Sequence, residues 1–199
     1  MTVESRSFRR LAARSATEVF APAVVVVVVS FLVGLHAGDT IGAGLLWSVL
    51  AALFSSVVPF GAILLGVRRG RLSDHHVGRR EQRRVPLLIA LASVLIGLAV
   101  LALAGAPREM LALVTSMFVS LAVTLVITHW WKVSAHAAVT SGGAVIAALT
   151  LGPVWLVSYA AVAIVCWSRV ELRDHTVAQV LVGAVLGLVV GGSVFLALR

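Results

Sequence analysis

Three polar groups interrupt an otherwise apolar chain, and their residue types point to one chemistry. The first runs Asp74-His75-His76-Val77-Gly78-Arg79-Arg80-Glu81-Gln82-Arg83-Arg84. The second is Lys132-Val133-Ser134-Ala135-His136, and the third runs from Ser168-Arg169 through Arg173-Asp174-His175 to Gln179. Together they supply guanidinium donors and separate histidines. Guanidinium forks grip phosphate oxygens in pairs. One imidazole can attack phosphorus while another protonates the leaving oxygen, and several fixed arginines can neutralise the charge of a phosphoryl group without a metal. No Asp/Glu-rich cluster suits magnesium, and the single Cys166 excludes both a multi-thiolate zinc site and an internal disulfide. The expectation is phosphoryl chemistry with no metal and no cofactor.

The elements that must bring these groups together are apolar helices. Of 199 residues, 60% are hydrophobic and only 12% charged, with a mean hydropathy of +1.07. Such a chain is neither a soluble globular enzyme nor disordered. The apolar runs predict spans over about 19–37, 41–67, 86–104, 110–129 and 176–198. Between His136 and Arg169 the run is broken by Gly152-Pro153, which predicts two short spans, 137–151 and 154–167, joined by a tight turn. One long tilted helix is the alternative there. The expected fold is an all-α integral membrane protein, a single transmembrane domain over 1–199. It is counted as six transmembrane helices, with both termini and the site at one membrane interface. The first apolar run is too long for a cleaved signal peptide and is followed at once by a second span.

Charge gives the sidedness. Arg6, Arg9, Arg10 and Arg14, then Arg68, Arg69, Arg71, Arg79, Arg80, Arg83 and Arg84, then Lys132, Arg169 and Arg173 fall on one face, and only Arg108 and Arg199 on the other. Lys and Arg are retained on the cytoplasmic side, so a multi-pass cell-membrane protein with its polar groups toward the cytoplasm is expected. This asymmetry accounts for the net charge of +8 without nucleic acid.

Other polar residues carry plainer readings. The basic tail 1–17 and Arg68, Arg69 and Arg71 fit topology determinants. His129, Trp130 and Trp131 fit an interfacial belt. Lys132 fits either a further phosphate contact or, the favoured reading, interfacial snorkelling. Asp74 fits either a partner for Arg80 or Arg83, or a cap. Gly183, Gly187 and Gly191 recur every four residues and read as a helix-packing face, within the chain or between two copies of it.

The three groups resemble the motifs of the type 2 phosphatidic acid phosphatase superfamily, integral-membrane lipid phosphatases related to vanadium haloperoxidases. Its third motif is Ser-Arg, five residues, His, three residues, Asp. Ser168-Arg169 and His175 keep that spacing, and Gln179 stands at the aspartate position, as in the dolichyl diphosphatase branch. The second motif, Pro-Ser-Gly-His, keeps Ser134 and His136. The first, Lys, six residues, Arg-Pro, places His76 at the lysine and Arg83 at the arginine. The resemblance covers roughly 74–195. It implies that His175 is the nucleophile forming a phosphohistidine, oriented by Gln179. It implies that His136 is the acid on the leaving group and then the base for water. Arg169, Arg83 and Arg80 would clamp the phosphate with help from Ser134, and His76 would substitute for the family lysine.

The functional expectation is a metal-independent hydrolase of a phosphate monoester or diphosphate on a membrane lipid, either polyprenyl or phosphatidic-acid-like. The bilayer would be its surroundings, and a homo-oligomer is open. Two rivals stand beside it. One is a non-catalytic transporter or lipid-phosphate-binding protein using the arginines as an anion site. The other is a phosphoryl transferase of the same fold.

Overall fold

The computed structural model describes residues 3–77 and 79–199; the side chains of residues 3–6 and of Arg80 lie outside the described set. Among the described residues every regular element is helical. An N-terminal helix α1 (Val3–Val19) is followed by α2 (Pro22–Ala37), α3 (Ile41–Arg68), α4 (Arg84–Leu103), α5 (Arg108–Trp130), α6 (Ala135–Leu151), α7 (Pro153–Glu171) and α8 (Val177–Leu198). Helices α3, α4, α5, α7 and α8 are each long and apolar enough to cross a membrane. The segments Ser7–Val19 and Pro22–Ala37, bent by 45° at the break before Pro22, qualify only as a pair, and α6 is apolar but short. Outward-facing Val, Leu and Ile side chains on most of these helices are exposed, including Leu103, Val28 and Ile96. This is the reverse of the polar coat of a soluble bundle.

The predicted break at Gly152-Pro153 is present. Gly152 sits at φ +105°, a conformation that favours glycine, and Pro153 opens the single 3₁₀ turn Pro153–Ser158 that starts α7. The reversal makes α6 and α7 separate rods, and α7 continues to Glu171, past the apolar run.

Five helices, or six with the bent pair taken as one, are long and apolar enough to cross a membrane, in keeping with the expected six; the placing of both termini on one face does not match the contacts at the C terminus. Seven apolar rods, α2 to α8, run end to end, and an odd number returns the chain to the opposite end. Arg108 Nε donates to the Leu198 carbonyl at 2.9 Å, and the Arg199 guanidinium donates to the carbonyl of Leu149. The C terminus therefore lies beside the 104–107 and 152 turns. The N-terminal helix lies at the other end, where Arg9 pairs with Glu171 at 2.9 Å and the Thr17 hydroxyl meets that of Ser168 at 3.2 Å. The stretch read as a basic tail is thus a helix packed on α7.

Helix α6 is the hub. It packs against α2, α7 and α8, and its N-terminal half is buried through His136, Ala137, Ala138, Thr140 and Ser141. The contact with α8 depends on missing side chains. A Cβ on Gly187 would stand 2.0 Å from the Ala138 carbonyl oxygen, and one on Gly183 would stand 2.5 Å from that of Ser134. The glycine series is therefore an intramolecular packing face at these two positions, and it draws the start of α8 onto the start of α6.

Candidate active site

That close approach puts the third group on the second. The Ser134 amide donates to the Gln179 carbonyl at 3.2 Å, pinning the 131–134 loop to α8. Ser134 caps α6, its hydroxyl accepting from the Ala137 amide at 3.3 Å. His136 follows in the first turn of α6 and is 4% exposed.

Arg169, at the end of α7, is 2% exposed. Its carbonyl accepts from the amides of Asp174 (3.1 Å) and His175 (3.2 Å), which curls the 172–175 turn back over it. Arg173, at φ +60°, makes the reversal. Arg169 Nη2 pairs with Asp174 Oδ2 at 3.1 Å, while its Nε and Nη1 are buried with no hydrogen-bond partner among the described residues, as is Nε2 of His136. Guanidinium nitrogens buried this deeply are costly unless a further acceptor meets them.

His175 is 6% exposed, and its ring is fixed by a chain of bonds. Thr176 begins α8 with a capping box: its hydroxyl accepts from the Gln179 amide at 3.3 Å, and Gln179 Oε1 accepts from the Thr176 amide at 3.2 Å. A backbone N–H can only donate, so the Gln179 atom facing it is the oxygen. The same oxygen lies 3.1 Å from His175 Nδ1. Nδ1 must then carry the hydrogen, and Nε2 keeps its lone pair. Burial pushes the His175 pKa down to about 3, reinforced by Lys132, Arg83 and Arg169. The imidazole is neutral near neutral pH.

Arg83 arrives from the first group, one residue before α4. It is 8% exposed, and two carbonyls hold it, Val77 from Nε at 2.9 Å and Val133 from Nη1 at 2.8 Å. Val77 is at φ +48°, an uncommon conformation for a β-branched residue, and its carbonyl is the one that orients the guanidinium. Burial, then the neighbouring Arg169, lowers the pKa of Arg83.

The expected residues mostly converge. His136, Arg169, Arg83 and His175 lie within electrostatic reach of one another, with Ser134 beneath them. Arg80 opens a 3₁₀ turn, Arg80–Gln82, and its side chain lies outside the described residues. His76 sits edge-on to His136, with ring centroids 5.1 Å apart. Its Nε2, however, is engaged by Glu18 Oε1 of α1 at 3.0 Å. Burial, opposed by that bond, lowers its pKa. Asp74 is used as a local cap, accepting from the His76 amide at 2.9 Å and from the Ser73 hydroxyl.

Two participants were not foreseen. Lys132, read as snorkelling, instead donates from Nζ to the Asp174 carbonyl at 2.6 Å, and its charge bears on His175. Glu18 carried no sequence signal at all, being remote from all three groups.

A cavity of about 400 Å³ reaches His136 and Arg83 of this cluster but is not lined by Arg169 or His175. Its mouth is lined by Glu18, His75, His76, Arg83 and His136 and its interior by apolar side chains, among them Val25, Val29, Leu121 and Ile146. Gly187 and Gly191 also face it, so the glycine stripe read purely as packing borders the site as well. A second hollow, between α2 and α3, shares Ala23, Val24, Ser56 and Phe60 with the first. Comparison of this chain with protein-family models, curated proteins and solved structures gives no match.

Proposed function

We propose that the protein is a multi-pass membrane lipid phosphatase that works through a phosphohistidine on His175. The observation that carries this reading is the buried cluster. Arg169 has two nitrogens without a partner, His136 has an unpartnered Nε2, and His175 is held in the tautomer whose Nε2 is nucleophilic. Of the three, His136 lines an apolar cavity, as does Arg83. A phosphoryl group supplies the acceptors that the guanidinium lacks, and a hydrocarbon tail suits the cavity below.

The reaction has two halves. In the first, the Nε2 lone pair of His175 forms a bond to phosphorus as the bond to the lipid oxygen breaks, and protonated His136 delivers its proton to that oxygen. Gln179 accepts from Nδ1–H and stabilises the charge that grows on the ring. Arg169 and Arg83 balance the equatorial oxygens. In the second half, His136 takes a proton from water as its oxygen attacks phosphorus, the N–P bond breaks, and inorganic phosphate leaves. Lys132 lowers the proton affinity of His175 and so keeps the nucleophile unprotonated. The positive charge concentrated at this end supports a cytoplasmic orientation for it, with the N terminus on that side and the C terminus on the other. The hollow between α2 and α3 supports lateral access of the tail from the bilayer. The substrate class is a lipid phosphate or diphosphate, with a polyprenyl chain the favoured tail because of the glutamine at 179.

The test is release of phosphate from a short-chain lipid phosphate by the purified chain in detergent with excess chelator. The wild type is expected to turn over and to yield an acid-labile phosphohistidine. His175→Ala is expected to lose both while keeping its helical circular dichroism. Turnover retained in that variant sinks the assignment.

A further inference from the structure

The group at the cavity mouth that the reaction leaves unused is Glu18, His75 and His76. These residues come from two elements, α1 and the 74–77 turn. Their ligand atoms, one carboxylate oxygen and two imidazole nitrogens, all lie within 4.8 Å of one another. Glu18 Oε1 is 3.0 Å from His76 Nε2 and 3.4 Å from His75 Nε2. A tetrahedral zinc ion with bonds of about 2.0–2.1 Å holds its ligand atoms roughly 3.3–3.4 Å from one another. Two of the three edges of such a ligand face are therefore nearly in place before any ion arrives.

The donor set narrows the ion. Two imidazoles and one carboxylate form a ligand set used at catalytic zinc centres, whereas calcium and magnesium prefer all-oxygen shells. A second observation points the same way. His136, 4% exposed, lies against the His76 ring at 5.1 Å between centroids and lines the same mouth, and its Nε2 has no hydrogen-bond partner.

We infer that Glu18, His75 and His76 form a binding site for a zinc-class divalent cation at the mouth of the cavity. Three protein ligands leave a fourth coordination position for water or an anionic oxygen. An occupied site ties α1 to the 74–77 turn and sets a doubly charged cation where an anionic headgroup arrives. It is distinct from the His175 centre and stands or falls separately from the proposed hydrolysis.

The experiment is zinc binding to the full-length, tag-free chain in detergent micelles, by competition with a fluorescent zinc indicator. The wild type is expected to take up one zinc per chain, with magnesium failing to compete. Glu18→Ala and His75→Ala are each expected to weaken uptake about tenfold or more with unchanged helical circular dichroism. His175→Ala is expected to bind as the wild type does, whether or not it hydrolyses lipid phosphate. Zinc uptake no greater than that of empty micelles overturns the inference, and so do Glu18→Ala and His75→Ala variants that bind as tightly as the wild type.

Discussion

Acidification offers the most searching check on the placement of His175. In the folded protein its pKa is lowered to about 3 from 6.5, first by burial and then by Lys132, Arg83 and Arg169. In the unfolded chain the imidazole takes its proton as pH falls through 6.5, but the folded chain accepts it only near 3. Between those limits the unfolded state binds more protons, so stability falls as pH falls. With those two values, the cost charged to His175 between about pH 7.5 and pH 5 is about 2 kcal/mol. The assay is reversible unfolding in mixed micelles followed by circular dichroism, comparing wild type with His175→Asn, which is similar in size and does not titrate. The wild type should lose about 2 kcal/mol more than the variant over that range. Equal acid losses in wild type and His175→Asn would mean that the ring is not buried among these cations, and the neutral-nucleophile argument would fail with it.

Two further outcomes follow from the geometry. Gly187→Ala sets a methyl 2.0 Å from the Ala138 carbonyl oxygen, so α6 and α8 must separate. A loss of about 1–3 kcal/mol is expected, read as a fall in melting temperature. Gly142→Ala, whose added carbon meets its nearest neighbour at 3.5 Å, should be nearly silent. Gln179→Glu keeps the acceptor for Thr176 and His175 but adds a negative charge beside the ring, which raises the proton affinity of His175. The acid-side fall of lipid-phosphate hydrolysis should then move to higher pH, with the neutral-pH rate within about tenfold of wild type; an unmoved profile would refute the contact.

Composition made the helical, apolar architecture legible, and Gly152-Pro153 marked the α6–α7 reversal. The spacing of Ser168, Arg169, His175 and Gln179 was equally informative. It is local, and the link is the capping box: His175 precedes the N-cap Thr176, and Gln179 Oε1 folds back over the helix start to meet it. What stayed hidden was long-range. The side of the C terminus was not part of it: the seven apolar runs, with Arg199 opposite the N-terminal arginines, already set it apart from the N terminus. Glu18 reaches His76 only because α1 folds onto α7 through Arg9 and Thr17, and Lys132 reaches the Asp174 carbonyl only because the glycines of α8 bring that turn close. Arg83 is oriented by two backbone carbonyls, which no pattern of side chains announces.

The two π-helical turns, Leu53–Val57 in α3 and Gly187–Gly191 in α8, both border the cavity through Ser55, Ser56, Gly187 and Gly191. Each squeezes one surplus residue into its rod, so the residues beyond it are rotated relative to an unbroken helix. Deleting one residue from either turn would restore regular winding, swing the following side chains around the axis and reshape the apolar wall of the cavity. The hollow is thus a property of local register, and a single-codon deletion far from any imidazole would be enough to close it.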